Sequence, residues 1–568
     1  MQDVVSTPSQ VGPGGIARFS GFASRLRSQS PSLIECGAAL LSAALLIVSF
    51  PDFSFWPLAW FALIPLFVVL VRRPQPWASF LLGWLFGTVF FYGSCYWLTY
   101  SMVHFGGIRP WLAFLLLLPG AVLVGVFPAV VTLVLARAIR EWGTAALFVA
   151  PLFWPALEWV RLETTGQLWN AIGYSQAYHP FLIQTAAWGG VYAVGCLIVL
   201  VNSSLAYFLA KRSTRAFLTT AVGMAAIFGV ILVAALPAMI DVSATLFSKP
   251  DVLAVAVQPN VPMEPLSDPK TIEALITRHT SLSTSALQDW ECTGEPDNVA
   301  GMSKDSDWAK DDSPATRRAI PRLVIWPESP MNFAYTGDSK LRETIAAFAK
   351  ANNTAVLLNS QEVAPGDGIY NSALLINEQG KLVAQYDKIR LLPFGEYVPL
   401  PDWVPGAGLI RAIVGDFTAG TNYRLMPVGN LRAGVFICIE SAYPSIARRF
   451  TNEGADVLIN ISNDGYLGPT AVMRQHLANA IFRAVENGRP LLSVTNTGIT
   501  AFITPNGEAR DMTAGFRPEV RIWSLSPPPG QRTFYTKHGD VFVVSCAVLS
   551  LLIFVFTFFG VPRRARKY

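Results

Sequence analysis

The sequence predicts two kinds of structure in one chain: an α-helical membrane bundle of about eight transmembrane helices, and an α/β layered domain placed before the last of them. Three observations predict it. Apolar runs close to the 20 or so residues needed to cross a bilayer recur at 32–50, 56–72, 77–102, 111–136, 145–161, 187–210, 216–239 and 541–560. Between the last two lies a stretch of ordinary soluble character, where short apolar runs alternate with helical patterns, as strands and helices do in layered α/β domains. Positive side chains, finally, collect beside every second apolar run.

The charge is unevenly placed. The whole chain is +5, but residues 241–530 hold 25 Lys+Arg against 31 Asp+Glu, a net −6, and the remainder is +11. The basic excess therefore belongs to tails and membrane loops, and gives no support to a nucleic-acid partner. Arg18, Arg25 and Arg27 precede the first run, Arg72 and Arg73 follow the second, Arg137 and Arg140 the fourth, and Lys211, Arg212 and Arg215 the sixth. Arg563, Arg564, Arg566 and Lys567 close the chain, while 51–55 has no cation and 103–110 only Arg109. Because positive residues stay on the cytoplasmic side, both termini are expected inside and 241–540 outside. In a bacterium that is a multi-pass inner (plasma) membrane protein with its soluble domain periplasmic. The run 145–161 carries Glu158 and is the weakest, but the alternation needs it.

Four segments are thus expected: a disordered cytoplasmic tail over 1–30, transmembrane helices 1–7 over 31–240, the soluble domain over 241–530 with a polar insert at 291–320, and helix 8 with a basic cytoplasmic tail over 531–568. The first run has no small-residue cleavage site and reads as an uncleaved anchor. His104, Trp154, Trp159, Trp169, Tyr174 and Trp188 lie near outer span ends. They read as an interfacial aromatic belt; the alternative is that loop 162–186, with Gly173-Tyr174-Ser175-Gln176, seats a substrate.

From 241 the elements follow in order. An apolar run at 252–257 ends at Gln258-Pro259-Asn260, and a helix covers about 269–290. The run 323–326 ends at Pro327-Glu328-Ser329. A helix at 339–351, a strand at 355–358 and a hairpin around Asn377–Gly380 come next. The stretch 434–441 reads as a buried strand that stops at Cys438. Helices near 443–453 and 470–487, the latter closed by Gly488, flank a strand at 457–461, and 491–523 is strand-rich.

Of six cysteines, Cys36, Cys95, Cys196 and Cys546 lie in apolar runs, and only Cys292 and Cys438 face the oxidising side. A disulfide between them is conceivable but disfavoured, because Cys292 belongs to the polar insert. Glu328, Lys388 and Cys438 each stand at or just past an apolar strand. A thiol with a reference pKa near 8.5 is a few per cent thiolate at neutral pH. A carboxylate in reach can take its proton, and an ammonium can hold the negative oxygen of a tetrahedral intermediate, with the Ile439 N–H as a second donor. The three form a nucleophile, base and oxyanion set for acyl transfer. Each alone has a bland reading as a packed thiol, a solvated strand end or a surface cation. His476 shares a helix with Leu477 and Ala480 and reads as a packed histidine, not a triad member. No metal-ligand spacing and no phosphate-cradling glycine loop occur, so neither metal nor cofactor is expected.

Trp326-Pro327-Glu328, Tyr386-Asp387-Lys388, Pro393-Phe394-Gly395-Glu396 and Cys438-Ile439-Glu440, in that order, resemble the carbon–nitrogen hydrolase (nitrilase) superfamily, as does Ile461-Ser462-Asn463-Asp464-Gly465 further on. With eight spans and the soluble domain between the last two, nearly everything after residue 30 is similar to the apolipoprotein N-acyltransferase family. The resemblance implies an αββα nitrilase-like sandwich. It implies an enzyme that moves an acyl chain from a membrane phospholipid, through a cysteine thioester, to the N-terminal amine of the diacylglyceryl-cysteine of an apolipoprotein. In that scheme Cys438 is the nucleophile, Glu328 the general base, Lys388 the oxyanion stabiliser, Glu396 a supporting carboxylate and Glu440 a neighbour of the site. Nothing signals an obligate oligomer, so a monomer is expected. Ile439 stands where the family often has an aromatic residue, 262–268 lacks a frequent Trp, and Tyr466-Leu467-Gly468 replaces an expected Trp-Phe-Gly.

The other reading of the same chemistry is a membrane-tethered amidase or nitrilase hydrolysing a small amide; the apolar runs argue against it, since a tether needs one. A transporter with an outer binding domain ranks last, because apart from Glu35, Glu158 and Arg161 the runs hold few charges. Loop 391–415, with Leu391, Leu392, Phe394, Val398, Leu400, Trp403, Val404, Leu409 and Ile410, reads either as core packing or as an apolar lid dipping into the outer leaflet.

Overall fold

The computed structural model describes residues 30–166, 168–245, 251–263, 268–293, 299–300, 317–328, 333–366, 368–398, 403, 417–528 and 530–559. All but Ser30 of the expected N-terminal tail, most of the 291–320 insert, most of loop 391–415 and the basic C-terminal tail lie outside those residues.

Among the described residues, five helices are long and apolar enough to cross a membrane: Pro76–Ser94, Pro110–Trp142, Thr144–Thr165, Ala186–Lys211 and Thr214–Pro237. Three shorter apolar segments, Leu33–Ser49, Trp56–Arg72 and Val541–Thr557, occupy the other three runs. The fourth run is jointed, since Pro110–Val124 and Val126–Trp142 meet at Gly125. Pro128 supplies a cause: it has no N–H for the Val124 carbonyl, and its ring crowds that carbonyl. Helix Pro76–Ser94 packs directly on the joint. A Cβ at Gly83 would sit 2.9 Å from the Ala129 Cα, and one at Gly87 would sit 2.9 Å from the Gly125 Cα, so small residues set how closely the backbones approach.

The soluble region forms two sheets. In chain order its strands are β1 (Val252–Gln258), β2 (Val299–Ala300), β3 (Arg322–Ile325), β4 (Ala355–Ala364), β5 (Gly368–Ile376), β6 (Leu382–Asp387), β7 (Met426–Val428), β8 (Leu431–Ile437), β9 (Val457–Ser462), β10 (Leu491–Thr495), β11 (Ala501–Ile503), β12 (Ala509–Arg510) and β13 (Glu519–Leu525). They pair as β2-β13-β1-β3-β4-β5-β6 and β12-β11-β10-β9-β8-β7. The central pairs β1–β3–β4 and β8–β9–β10 are parallel. Parallel strands covered on both faces read as unbroken apolar runs, which is why 252–257 and 434–437 stand out in the sequence.

Side-chain alternation fixes the layering. On β1, Ala254 and Ala256 join one core with Leu323, Ile325, Val435, Ile437 and Ile459 of both sheets. Val255 and Val257 face the other way, onto Leu275 and Leu287 of helix Pro269–Thr293 and Ile345 and Phe348 of helix Ser339–Ala351. Helices Pro444–Glu453 and Val472–Asn487 lie on the second sheet. The result is the αββα sandwich the resemblance implies. Strands β2 and β7 were not foreseen: they have two and three residues, too few for a periodicity. Strand β13 falls at the end of the strand-rich stretch 491–523, but its pairing with β1, over 250 residues earlier, was not readable.

Helix Val472–Asn487 joins the two halves. Gln475 accepts at Oε1 from the indoles of Trp97 (3.0 Å) and Trp169 (2.8 Å), and donates from Nε2 to the carbonyls of Pro51 (3.0 Å) and Ser94 (3.2 Å). At the C-terminal end of the helix, Glu486 accepts from Val191 N–H at 2.9 Å, a donor freed by the Gly189-Gly190 kink, where Gly190 has φ +66°. The aromatic-belt expectation therefore needs correction. Trp154, Trp169 and Tyr174 are buried, and Trp169 is a docking contact. Of the other belt residues, Trp159 is half-buried and His104 and Trp188 are exposed. Nor is Gly173-Tyr174-Ser175-Gln176 an open seat: it is buried, with Gln176 bonded to the Trp60 indole and the Trp56 carbonyl.

Candidate active site

The two sheets meet along a seam, and side chains at the C-terminal ends of parallel strands gather there, where such sheets place ligands. Strand β3 leads to Glu328, β6 to Lys388 and β8 to Cys438. Lys388 is almost wholly buried, with Nζ 2.9 Å from the Glu396 carboxylate and 3.6 Å from Glu328 Oε1. Asn371, on β5, ties the carboxylates together by donating to Glu328 Oε1 at 2.9 Å and Glu396 Oε1 at 2.6 Å. Its own carbonyl accepts from Asn359 at 2.7 Å, which turns its amide nitrogen toward the acids. Glu396 also accepts from Leu392 N–H at 2.7 Å. Burial works against the Lys388 ammonium, but Glu396 first and Glu328 second outweigh it, and its pKa lies above the usual lysine range.

Cys438 stands where β8 turns into the short helix Cys438–Ala442, at φ +53°. It is unbridged, as is the exposed Cys292. Burial raises the thiol well above its ordinary pKa; Glu328 pushes the same way and Lys388 opposes. Cys438 therefore rests as a thiol, and the neighbouring ammonium does not by itself ionise it. Of the two carboxylates beside Lys388, Glu328 is the more exposed (side chain 16% against 10% for Glu396), and its charge acts on the thiol more strongly.

Glu440 is fully buried and has a fuller set of partners than a mere neighbour. It accepts from Ile389 N–H (2.8 Å), Arg390 N–H (3.0 Å), Ile437 N–H (2.8 Å) and the Tyr386 hydroxyl (2.8 and 2.9 Å). Burial raises its pKa, while the Ile437 and Arg390 amides hold it down. It clips the loop after Lys388 to the strand before Cys438, so it joins the two sheets at the seam. On the other side, His476 Nε2 lies 3.0 Å from the Cys438 carbonyl oxygen and Nδ1 lies 2.7 Å from Asp464.

All five sequence-predicted residues thus lie in or against one cluster. Asn371, Tyr386, Asp464 and the contact made by His476 were missed. The usable signal for Asn371 was a polar residue just before the apolar run 373–376 of a buried strand. Among the described residues no cluster of His, Cys, Asp and Glu could hold a metal ion. Of the loop read as core or lid, Val398 is buried, whereas Phe394 and Trp403 are exposed.

Comparison with known proteins agrees with this architecture. Residues 42–204 match the apolipoprotein N-acyltransferase N-terminal domain, and residues 319–521 match the carbon-nitrogen hydrolase domain. The chain is 31% identical over 533 residues to an apolipoprotein N-acyltransferase of Geobacter metallireducens, covering 91% of this chain and 94% of the relative. It is 28% identical over 450 residues to one of Rhizobium meliloti, covering 77% and 78%. Among solved structures it resembles an amidase of the nitrilase superfamily from Nesterenkonia (15% identity, 51% of this chain and 94% of that one, TM-score 0.34) and Nit3 of Saccharomyces cerevisiae (17%, 52% and 96%, TM-score 0.35).

Proposed function

The chain belongs to the apolipoprotein N-acyltransferase family, a membrane-bound N-acyltransferase of lipoprotein maturation with a nitrilase-superfamily domain, and from that premise we propose how its own residues carry the reaction. The observation that carries the proposal is the convergence of Glu328 and Glu396 on Lys388, each within 4 Å of its Nζ, with the charges of all three acting on the Cys438 thiol.

In the first half, Cys438 Sγ attacks the ester carbonyl of a membrane phospholipid while Glu328 takes the thiol proton. The new C–S bond leaves a negative oxygen, which the Lys388 ammonium and the Ile439 N–H stabilise. The C–O bond to glycerol then breaks. Glu328 returns its proton to the leaving alkoxide, giving a lysophospholipid and an acyl thioester on Cys438. In the second half, the neutral α-amine of a diacylglyceryl-cysteine attacks the thioester and loses a proton to Glu328. The C–S bond breaks, and the departing thiolate receives that proton. Covalent catalysis suits two bulky lipids that must use one pocket in turn. Glu396, with Asn371, holds Lys388 in place, and Glu440 positions both strand ends without touching substrate.

The proposal extends to placement. Residues 1–30 form a cytoplasmic tail, 31–240 the first seven spans, 241–530 the catalytic domain, and 531–568 the last span with its basic tail. The membrane is the bacterial inner membrane, the catalytic domain is periplasmic, and the enzyme works as a monomer without cofactor or metal. The test is to supply purified protein with phospholipid and a diacylglyceryl-cysteine lipopeptide. Equal amounts of lysophospholipid and N-acylated peptide are expected. Ammonia released from small amides, with the phospholipid untouched, would instead identify the amidase reading.

A further inference from the structure

We propose that His476 is a positioning residue for the nucleophile, an imidazolium that is held by Asp464 and, through Nε2–H, fixes the direction of the Cys438 carbonyl. This rests on the reading of Cys438 as the nucleophile. A non-glycine residue at φ +53° is strained and persists only where its surroundings hold it. Two side chains hold it here. Before Cys438, the Ile437 N–H is bonded to Glu440. After it, the Cys438 carbonyl faces His476 Nε2 at 3.0 Å.

The charge of the ring follows from its partners. One ring nitrogen meets a backbone carbonyl oxygen, and the other meets a carboxylate at 2.7 Å. Both are acceptors. A neutral imidazole has one N–H and would set a lone pair against one of them; the imidazolium satisfies both. Burial disfavours that charge, but Asp464 outweighs it and the His476 pKa lies above its ordinary value. The groups facing the ring are Asp464 beyond β9, Glu328 beyond β3, Ser462 of β9 at 3.4 Å, and the Trp169 ring of the membrane bundle at 5.8 Å. The adjacent Gln475, bonded four times into that bundle, keeps the ring from drifting.

The consequence for catalysis is geometric. The peptide bond is planar and trans, so the Cys438 C=O and the Ile439 N–H lie in one plane and point in opposite directions. Fixing the carbonyl from below therefore aims the Ile439 N–H, the proposed oxyanion donor, on the other side. His476 acts through this peptide unit and need not touch substrate.

The test uses the full-length enzyme with phospholipid and lipopeptide, and reads kcat, KM, pH profile and thermal midpoint. His476→Ala should lower kcat roughly 10²-fold with KM for phospholipid unchanged, as expected when a donor is misaimed. His476→Gln, whose amide nitrogen reaches the place of Nε2, should restore most of the rate; His476→Asn, which reaches only the place of Nδ1, should not. The wild type should lose activity on the alkaline side as His476 deprotonates. His476→Gln should lack that limb, and Asp464→Asn should move it to lower pH. If His476→Ala fails to fold, the Gln-versus-Asn comparison decides. A His476→Ala kcat within about twofold of wild type, equal losses in Gln and Asn, or an alkaline limb that survives in His476→Gln would overturn the inference. Cys438→Ala is the control: if it stays active, the reading of the nucleophile fails first; if it is dead while His476→Ala is unimpaired, only the role of His476 fails.

Discussion

The two sheets approach the same cleft with opposite kinds of residue. The seven-stranded sheet and its loops bring ions: Glu328, Lys388 and Glu396, with Asn371 between the carboxylates. The six-stranded sheet brings a neutral, half-buried thiol on strained backbone, framed by Glu440 and His476. An ion cluster is held by side-chain bonds and can be assembled from distant strands. The aim of a nucleophile depends on the backbone itself, and so its frame consists of side chains bonded to peptide groups. Glu440 crosses between the two regimes, with acceptor contacts on both sheets.

If that division holds, damage to the ionic side should fall on charge balance and chemistry together. Lys388→Ala leaves two carboxylates facing each other in a buried site. We expect activity to drop at least about 10³-fold and stability to fall by roughly 3–5 kcal/mol, read by thioester formation and by denaturant or thermal unfolding. Glu440→Ala should affect the fold more than the reaction type. It strands three backbone N–H groups and a tyrosine hydroxyl, and a loss of about 3 kcal/mol is expected, with the Gln variant milder because the carboxamide keeps one acceptor. A Glu440→Ala protein as stable as wild type would erase the proposed clip.

The membrane side can be separated in the same way. Gln475→Ala removes the acceptor of the Trp169 indole and the donor to two bundle carbonyls. The expected loss is about 1–3 kcal/mol, seen as a lower thermal midpoint in detergent, with the Cys438 half-reaction slowed and not abolished. The smallest effect is a linkage. His476 has a raised folded pKa, so its stabilising contribution is complete below about 6.5, the ordinary value, and is lost as pH rises through the folded value. The gap in thermal midpoint between wild type and His476→Gln should be widest at the acid end of pH 6–9 and shrink toward the alkaline end. A gap that widens with pH would contradict the charged ring.

Much of this was readable before any coordinates. Apolar length gave the spans, unbroken apolar runs gave the central parallel strands, and the order of the Glu328, Lys388, Glu396 and Cys438 motifs gave the cluster. What stayed hidden has one physical cause: contacts between side chains and distant backbone leave no period in the sequence. Glu440 looked like a bystander because two of its amide donors, Ile389 and Arg390, lie about 50 residues earlier. His476 looked like a packed histidine, and it is buried; only the position of the Cys438 carbonyl shows what it faces. The aromatic residues near the span ends were assigned to lipid because composition cannot distinguish a headgroup from a docking helix, whereas Trp169, one of them, in fact points its indole at Gln475. The joint at Gly125 was missed because mean hydropathy continues smoothly across it.

The central claim is that Cys438 carries the acyl chain between two substrates. It is tested most directly by the mass of Cys438-containing peptides after the purified enzyme is mixed with phospholipid and no acceptor. The account predicts an acyl-sized addition on Cys438, matched by lysophospholipid release, removed by adding a diacylglyceryl-cysteine peptide, and absent when Glu328 is changed to Gln. An unmodified Cys438 in an enzyme that still N-acylates the peptide would contradict it.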